Sequence, residues 1–207
     1  MVWNELIEAV YQCTKAQSTD HRESAMRILS AVPNLITNQD VEAVKHVFQD
    51  AFQDPDITVQ MTAFKAYISY LLDTSSEHRQ KAADLIPAGL TALHTALEAH
   101  AESQVMESLS YLIDLAEYYP KLLRPVMSKL VPYMIQIMTT SELEDGTRHT
   151  ALELLLTLAE SAPAMMRKQE LFTKTLIPTL LEWMAEVDDD QEWYTTTDVS
   201  TRPNCLS

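Results

Sequence analysis

LIPAGL (85–90), LVPYMI (130–135) and LIPTLL (176–181) each set a proline inside an amphipathic helical pattern. A proline in a helix interior loses one hydrogen bond and crowds the preceding turn, at a cost of roughly 3 kcal/mol. Pro87, Pro132 and Pro178 are spaced 45 and 46 residues apart. A disfavoured residue that returns at a fixed interval points to a structural repeat. A second landmark has a similar period. Aligning alternate helices on a small residue picks out Ala25, Ala63, Ser108 and Ala151, at spacings of 38, 45 and 43. Apolar residues, most of them large, follow three or four positions on: Ile28 and Leu29, Ala66 and Tyr67, Tyr111 and Leu112, Leu154 and Leu155. A small residue lets two helices approach closely, and the next turn fills the space beside it.

Two landmarks with one period imply an all-α fold, a HEAT-repeat α-solenoid of about four and a half helical hairpins, with units of roughly 40–47 residues. The prolines then lie in the first helix of successive pairs, on the convex side, where a bend follows the superhelix. Composition agrees. The 207 residues include only two glycines, Gly89 and Gly146. Sandwiches, doubly wound sheets and phosphate-binding loops need many more.

Periodicity predicts nine helices. Asp20, with Glu23 as a capping-box partner, is expected to start the second, and Asp40 and Asp56 the third and fourth. One long helix is expected from Ser76 through Leu97, followed by others over about 103–118, 121–139, 146–162 and 165–186. The array is expected to cover 1–187, and residues 188–207 an acidic segment and a disordered tail.

Net charge is −15. That opposes direct binding of nucleic acid or of an anionic membrane surface, and suits basic partners. Cys13 and Cys205 form neither metal spacing nor a disulfide framework, which fits a reducing compartment. The first thirty residues lack the apolar core of a signal peptide, and no apolar run is long enough to span a bilayer. A soluble intracellular chain is expected. None of the six histidines has a second ligand at metal spacing, and no phosphate loop or nucleophile elbow is present. No enzyme, cofactor or metal is expected.

Two features point to binding. EWMAEVDDDQEW (182–193) holds a run of acids between Trp183 and Trp193. Such a run serves as a solvated loop or as a docking segment, in which Asp188, Asp189, Asp190 and Glu192 attract Lys and Arg and Trp193 stacks on a guanidinium. The second feature is the face of the second helices. Two residues after the small position stand Arg27, Lys65, Ser110 and Glu153; nine after it stand Asn34, Leu72, Glu117 and Glu160. The later units turn acidic, and Asp114 adds to the same region.

The stretch RHTALELLLTLAESAPAMMRKQELFTKTLIPTLLEWMAEVDDDQEW (148–193) closely resembles one branch of the importin-beta (karyopherin) superfamily of nuclear transport receptors. EYYPKLLRPVMSKL (117–130) and VPNLI (32–36) resemble other repeats of that family. The resemblance runs from Trp3 to about Trp193. It implies a receptor that binds basic nuclear-import cargo on its concave surface and phenylalanine-glycine nucleoporins on its convex side. It also implies that Ran-GTP drives cargo release and that the receptor shuttles between cytoplasm and nucleus. Asp188–Asp190 with Trp193 match the acidic segment of the family. The chain holds fewer repeats than such receptors, and VSTRPNCLS (199–207) matches nothing in their pattern. Two other readings stand beside this one: a HEAT scaffold subunit of a multi-protein complex, and a truncated, non-functional importin fragment.

Overall fold

The structure, a computed structural model, describes residues 4–185. Eleven α-helices, three short 3-10 segments and no strand occur among the described residues. The expected boundary near 187, the acids at 188–190 and 192, and Trp193 lie outside them.

Four antiparallel hairpins follow one another. They are α1 (Asn4–Thr14) with α2 (Thr19–Ala31), and α3 (Val41–Ala51) with α4 (Ile57–Asp73). Next come the bent pair α5 (Ser76–Ala82) and α6 (Ile86–Glu98) with α7 (Glu102–Tyr118), then α8 (Met127–Thr139) with α9 (Asp145–Ser161). A short α10 (Pro163–Met166) leads into α11 (Glu170–Ala185), the first helix of a fifth unit. The second helices stack in order: α2 on α4, α4 on α7, α7 on α9. The first helices form the other layer, and α11 packs on α8. Ala25 is 1% exposed, and Ala63, Ser108 and Ala151 are 0% exposed. All four small residues are therefore buried, as helices packed at interaxial distances of about 8–10 Å require. The Ser108 hydroxyl lies 3.6 Å from Met61 Sδ across the α4–α7 contact. Phe48, Phe52, Phe64, Tyr67 and Tyr70 pack ring to ring in the second hairpin. The Tyr67 hydroxyl donates to the Ala82 carbonyl at 2.7 Å and ties α4 to α5.

Asp40 accepts from the Ala43 N–H at 3.0 Å and Asp56 from the Thr58 N–H at 2.8 Å, so both cap helices as expected. Asp20 does not. The N-cap of α2 is Ser18, with no side-chain hydrogen bond; Asp20 sits in the first turn, and Glu23 pairs with Arg27 instead.

The prolines act in two ways. Pro132 and Pro178 lie inside α8 and α11. Both are exposed, so the helix bond lost at each leaves a carbonyl that water can reach. Pro87 is different. A 3-10 turn at Ala83–Leu85 breaks the expected long helix, and Pro87 falls in the first turn of α6, where its missing N–H costs little. The expected helices over 121–139 and 165–186 are also interrupted, by a 3-10 segment at Pro120–Val126 and by the gap between α10 and α11.

A further set, Pro33, Pro120 and Pro163, opens the connections between hairpins. The residue before each has nearly the same backbone: Val32 at φ −134°, ψ 67°, Tyr119 at −136°, 51° and Ala162 at −139°, 55°. Proline keeps the preceding residue out of the helical region, so it ends each second helix in the same way. The connection after α4 has no such proline, and α5 follows it directly.

Glycine usually closes helix ends, and this chain has almost none. Arginine does part of that work. Arg22 donates to the Ala16 and Gln17 carbonyls after α1 (3.0 and 2.9 Å) and makes two bonds to Asp54 (2.6 and 2.9 Å). Arg79 donates to the Leu71, Leu72 and Thr74 carbonyls at the end of α4, and lies 3.7 Å from the centre of the Tyr119 ring. Arg148 donates to the Met138 carbonyl at the end of α8 (3.3 Å). Only His100 takes the left-handed conformation (φ 60°) among described non-glycine residues, where the Ala101 N–H reaches the Ala96 carbonyl and closes α6.

Two predictions follow from these contacts. A Cβ on Gly89 would stand 2.8 Å from two ring carbons of the buried Phe64. Gly89→Ala should therefore destabilise the chain by about 1–3 kcal/mol in urea unfolding, although alanine is the better helix former. Burial pushes the Asp54 carboxyl up. The Arg22 hydrogen bonds, the Asp56 N–H and the Arg22 charge outweigh it and hold the carboxyl below its usual range. A depressed carboxylate stabilises above its unfolded value of about 3.9, and that stability is lost as pH falls through the folded value. Thermal melts of the wild type should drop below about pH 4. Asp54→Asn should lose about 3 kcal/mol at pH 7 and show a shallower acid step.

Candidate functional site

On α7, Glu107, Ser110, Asp114 and Glu117 are all exposed, at the 3.6-residue spacing that puts them on one stripe. On α9, His149, Glu153, Leu156 and Glu160 form the corresponding stripe. Because α7 packs on α9, the two stripes lie side by side. Glu117 and Glu160 each follow the buried small residue by nine positions, so they stand in register across the stack.

Charge pairing separates these acids. Glu107 is bound by Lys65 of α4 at 2.8 Å. Asp114, Glu117, Glu153 and Glu160 have no ion pair among the described residues. Towards the N-terminus the face changes sign: Arg27 is exposed and Lys65 half-buried, each paired with one acid. Asn34 does not continue α2; it lies in the 3-10 turn Pro33–Leu35, so the nine-residue offset fails in the first unit. Four uncompensated carboxylates on two adjacent helices raise the local concentration of cationic groups.

Trp183 has a structural partner. Its ring lies 5.0 Å from the Arg148 guanidinium and 5.0 Å from the His149 ring, and it fastens α11 to the start of α9. In the sequence it stands only as a flank of the acidic run.

The other layer contains a feature that the sequence did not reveal. A groove of about 310 Å³ runs between α6 and α8, with Leu90, Thr91, His94, Lys129, Leu130 and Tyr133 among its lining. The His94 and Tyr133 rings meet edge to face, 5.2 Å apart. Burial first, then the charge of Glu98, pushes the Tyr133 hydroxyl well above its usual pKa, so it stays neutral. A second groove, of about 500 Å³, runs between α1 and α3. The position between them is crossed by α5 and the 3-10 turn after it, where His78 Nδ1 meets the Thr37 carbonyl at 3.2 Å and Lys45 pairs with Asp84 at 2.8 Å. Leu90 and Tyr133 read as ordinary core positions, because periodicity does not show which outer helices stand apart. Among the described residues no cluster of three metal-ligating side chains occurs, and no helix is long and apolar enough to cross a membrane.

Comparison with known proteins gives one consistent answer. Residues 1–131 match the family described as "IPO5-like, TPR repeats", and residues 140–204 match "Importin repeat". Importin subunit beta-3 of Saccharomyces cerevisiae is 31% identical over 195 residues, which is 92% of this chain and 18% of that protein. A probable importin-5 homolog of Dictyostelium discoideum is 24% identical over 194 residues, 90% of this chain and 18% of its own length. The crystal structure of Kap121p bound to Nup53p superposes with a TM-score of 0.84 at 30% identity, over 98% of this chain and 20% of that one. The structure of Kap121p bound to Pho4p agrees equally well. The chain thus spans about a fifth of the length of the relatives it matches, and its hairpins follow the solenoid of Kap121p. These relatives are transport receptors and not enzymes. The chain belongs to the importin-beta family, in the branch of importin beta-3.

Proposed function

We propose that this chain is part of a nuclear import receptor and that it recognises basic cargo segments on the second-helix face of its last hairpins. The observation that carries this reading is the set of four carboxylates without an ion pair among the described residues, Asp114 and Glu117 on α7 with Glu153 and Glu160 on α9. A lysine or arginine side chain can lay its alkyl stem on Leu156, which is 40% exposed between Glu153 and Glu160, and bring its charge to either acid. Kap121p has been solved with Pho4p, Ste12p and Ulp1p. Asp188, Asp189, Asp190, Glu192 and Trp193 serve as a further contact for basic groups of the cargo. Cargo is released to Ran-GTP, and the receptor shuttles between cytoplasm and nucleus.

The groove between α6 and α8 supports a second contact of the same receptor. An apolar floor edged by the His94 and Tyr133 rings suits a phenylalanine side chain, the recurring apolar group of phenylalanine-glycine nucleoporins. Kap121p has also been solved with Nup53p.

Fluorescence anisotropy of a labelled lysine-rich import-signal peptide tests the cargo reading. Replacing Asp114, Glu117, Glu153 and Glu160 together by Asn or Gln should weaken binding by tenfold or more, on the order of 1.4 kcal/mol, and flatten its salt dependence. Adding Ran-GTP should release the peptide. Unchanged affinity in the fourfold variant would reject the site. For the groove, Leu90→Ala with Tyr133→Ala should weaken a phenylalanine-glycine peptide on the order of tenfold and leave the lysine-rich peptide unaffected. Equal loss of both peptides would reject separate sites.

A further inference from the structure

We infer that the edge formed by the connections into α8 and α11 is a docking surface for an acidic polypeptide segment. Acids outnumber bases two to one in this chain, 30 against 15, so a base without an acidic partner is unexpected. Most described bases follow that expectation. Arg22, Arg27, Lys45, Lys65, Lys81, Arg148 and Lys174 each hold a carboxylate, and Arg79 is used on backbone carbonyls. Lys121, Arg124, Lys129, Arg167 and Lys168 have no ion pair among the described residues, and all five are exposed. They fall within two successive connections and the first turn of α8.

The repeat places them together. Arg124 and Arg167 are each the fourth residue after the proline that opens the connection, Pro120 and Pro163. The residues before those prolines share one backbone conformation. The two arginines therefore occupy equivalent positions in neighbouring units, about 10 Å apart by the spacing of packed helices. Leu123 and Met166, one residue before them, are buried and anchor each turn. The first unit has the same turn at Pro33 but carries Thr37 at the equivalent place, so the basic edge is confined to the C-terminal half. On the opposite edge of that half, Glu98, Glu102, Glu142, Glu144 and Asp145 surround the connections into α7 and α9. The array is therefore polarised across its width.

Four cations on two connections and a fifth at the start of α8 match a short run of carboxylates, and guanidiniums bind carboxylates with two parallel bonds. A nucleic acid is a poorer fit, because its continuous charge would also meet the acids elsewhere in a chain of net charge −15. This surface is separate from the acidic stripe proposed for cargo, and variants of one should not affect the other.

The probe is a fluorescein-labelled octaglutamate peptide, titrated at low salt with the full chain. Saturable binding is expected. Arg124→Glu with Arg167→Glu should weaken it by tenfold or more, and Arg124→Gln with Arg167→Gln by several-fold. Lys15→Glu, which removes an unpaired base elsewhere, should leave it unchanged. Circular dichroism of each variant checks that it is folded. Absent binding, equal binding by the double Glu variant, or equal loss in Lys15→Glu would overturn the proposal. Tighter binding of an oligothymidylate of matching charge would overturn the assignment to an acidic polypeptide.

Discussion

The close approach of α2, α4, α7 and α9 at Ala25, Ala63, Ser108 and Ala151 is the constraint on which the rest of the structure depends. Each of these residues is buried, and each is followed by large side chains that fill the space beside the contact. A side chain even a few methylenes larger would force the stack apart, because the interior is packed to crystal density. Fixing the contact also fixes what faces outward. Once Ser108 and Ala151 are turned inward, Glu117 and Glu160 must stand on the opposite stripe at the same height. The acidic surface is a consequence of the packing register.

An all-helical chain with two glycines must end its helices by other means. Proline at Pro33, Pro120 and Pro163 ends three of the second helices through the residue before it. Arginine at Arg22, Arg79 and Arg148 satisfies carbonyls that would otherwise be left at helix ends or connections. These arginines also join successive units: Arg22 through Asp54, Arg79 through the carbonyls at the end of α4, and Arg148 through the Trp183 ring. The connection after α4 lacks the proline, and there α5 follows directly and packs against α3.

Much of this was legible in the sequence. The period came from Pro87, Pro132 and Pro178 together with the four small residues, and the Asp40 and Asp56 caps could be read from local chemistry. The interruptions were not legible. The break before Pro87 leaves the apolar periodicity almost intact, because a 3-10 turn shifts the phase by a fraction of a residue. Asp20 falls too late to cap, because α2 already begins at Thr19 with Ser18 in the N-cap position. Asp114, Glu117, Glu153 and Glu160 were read as an acidic face. Their lack of partners depended on the third dimension, where Lys65 chooses Glu107. The groove was hidden for the same reason: Leu90 and Tyr133 carry a core pattern, and only the gap between α6 and α8 leaves them half-buried. The arginine caps join residues too far apart in sequence for any local motif.

The most direct test of the account places a photoreactive benzoylphenylalanine at Leu156, between Glu153 and Glu160, and a second at Thr91, in the groove on the other layer. Each protein is illuminated with a lysine-rich import-signal peptide. A covalent adduct is expected at position 156 and none at position 91. An adduct at 91 alone would put the basic ligand on the first-helix layer and contradict the role given to the acidic face.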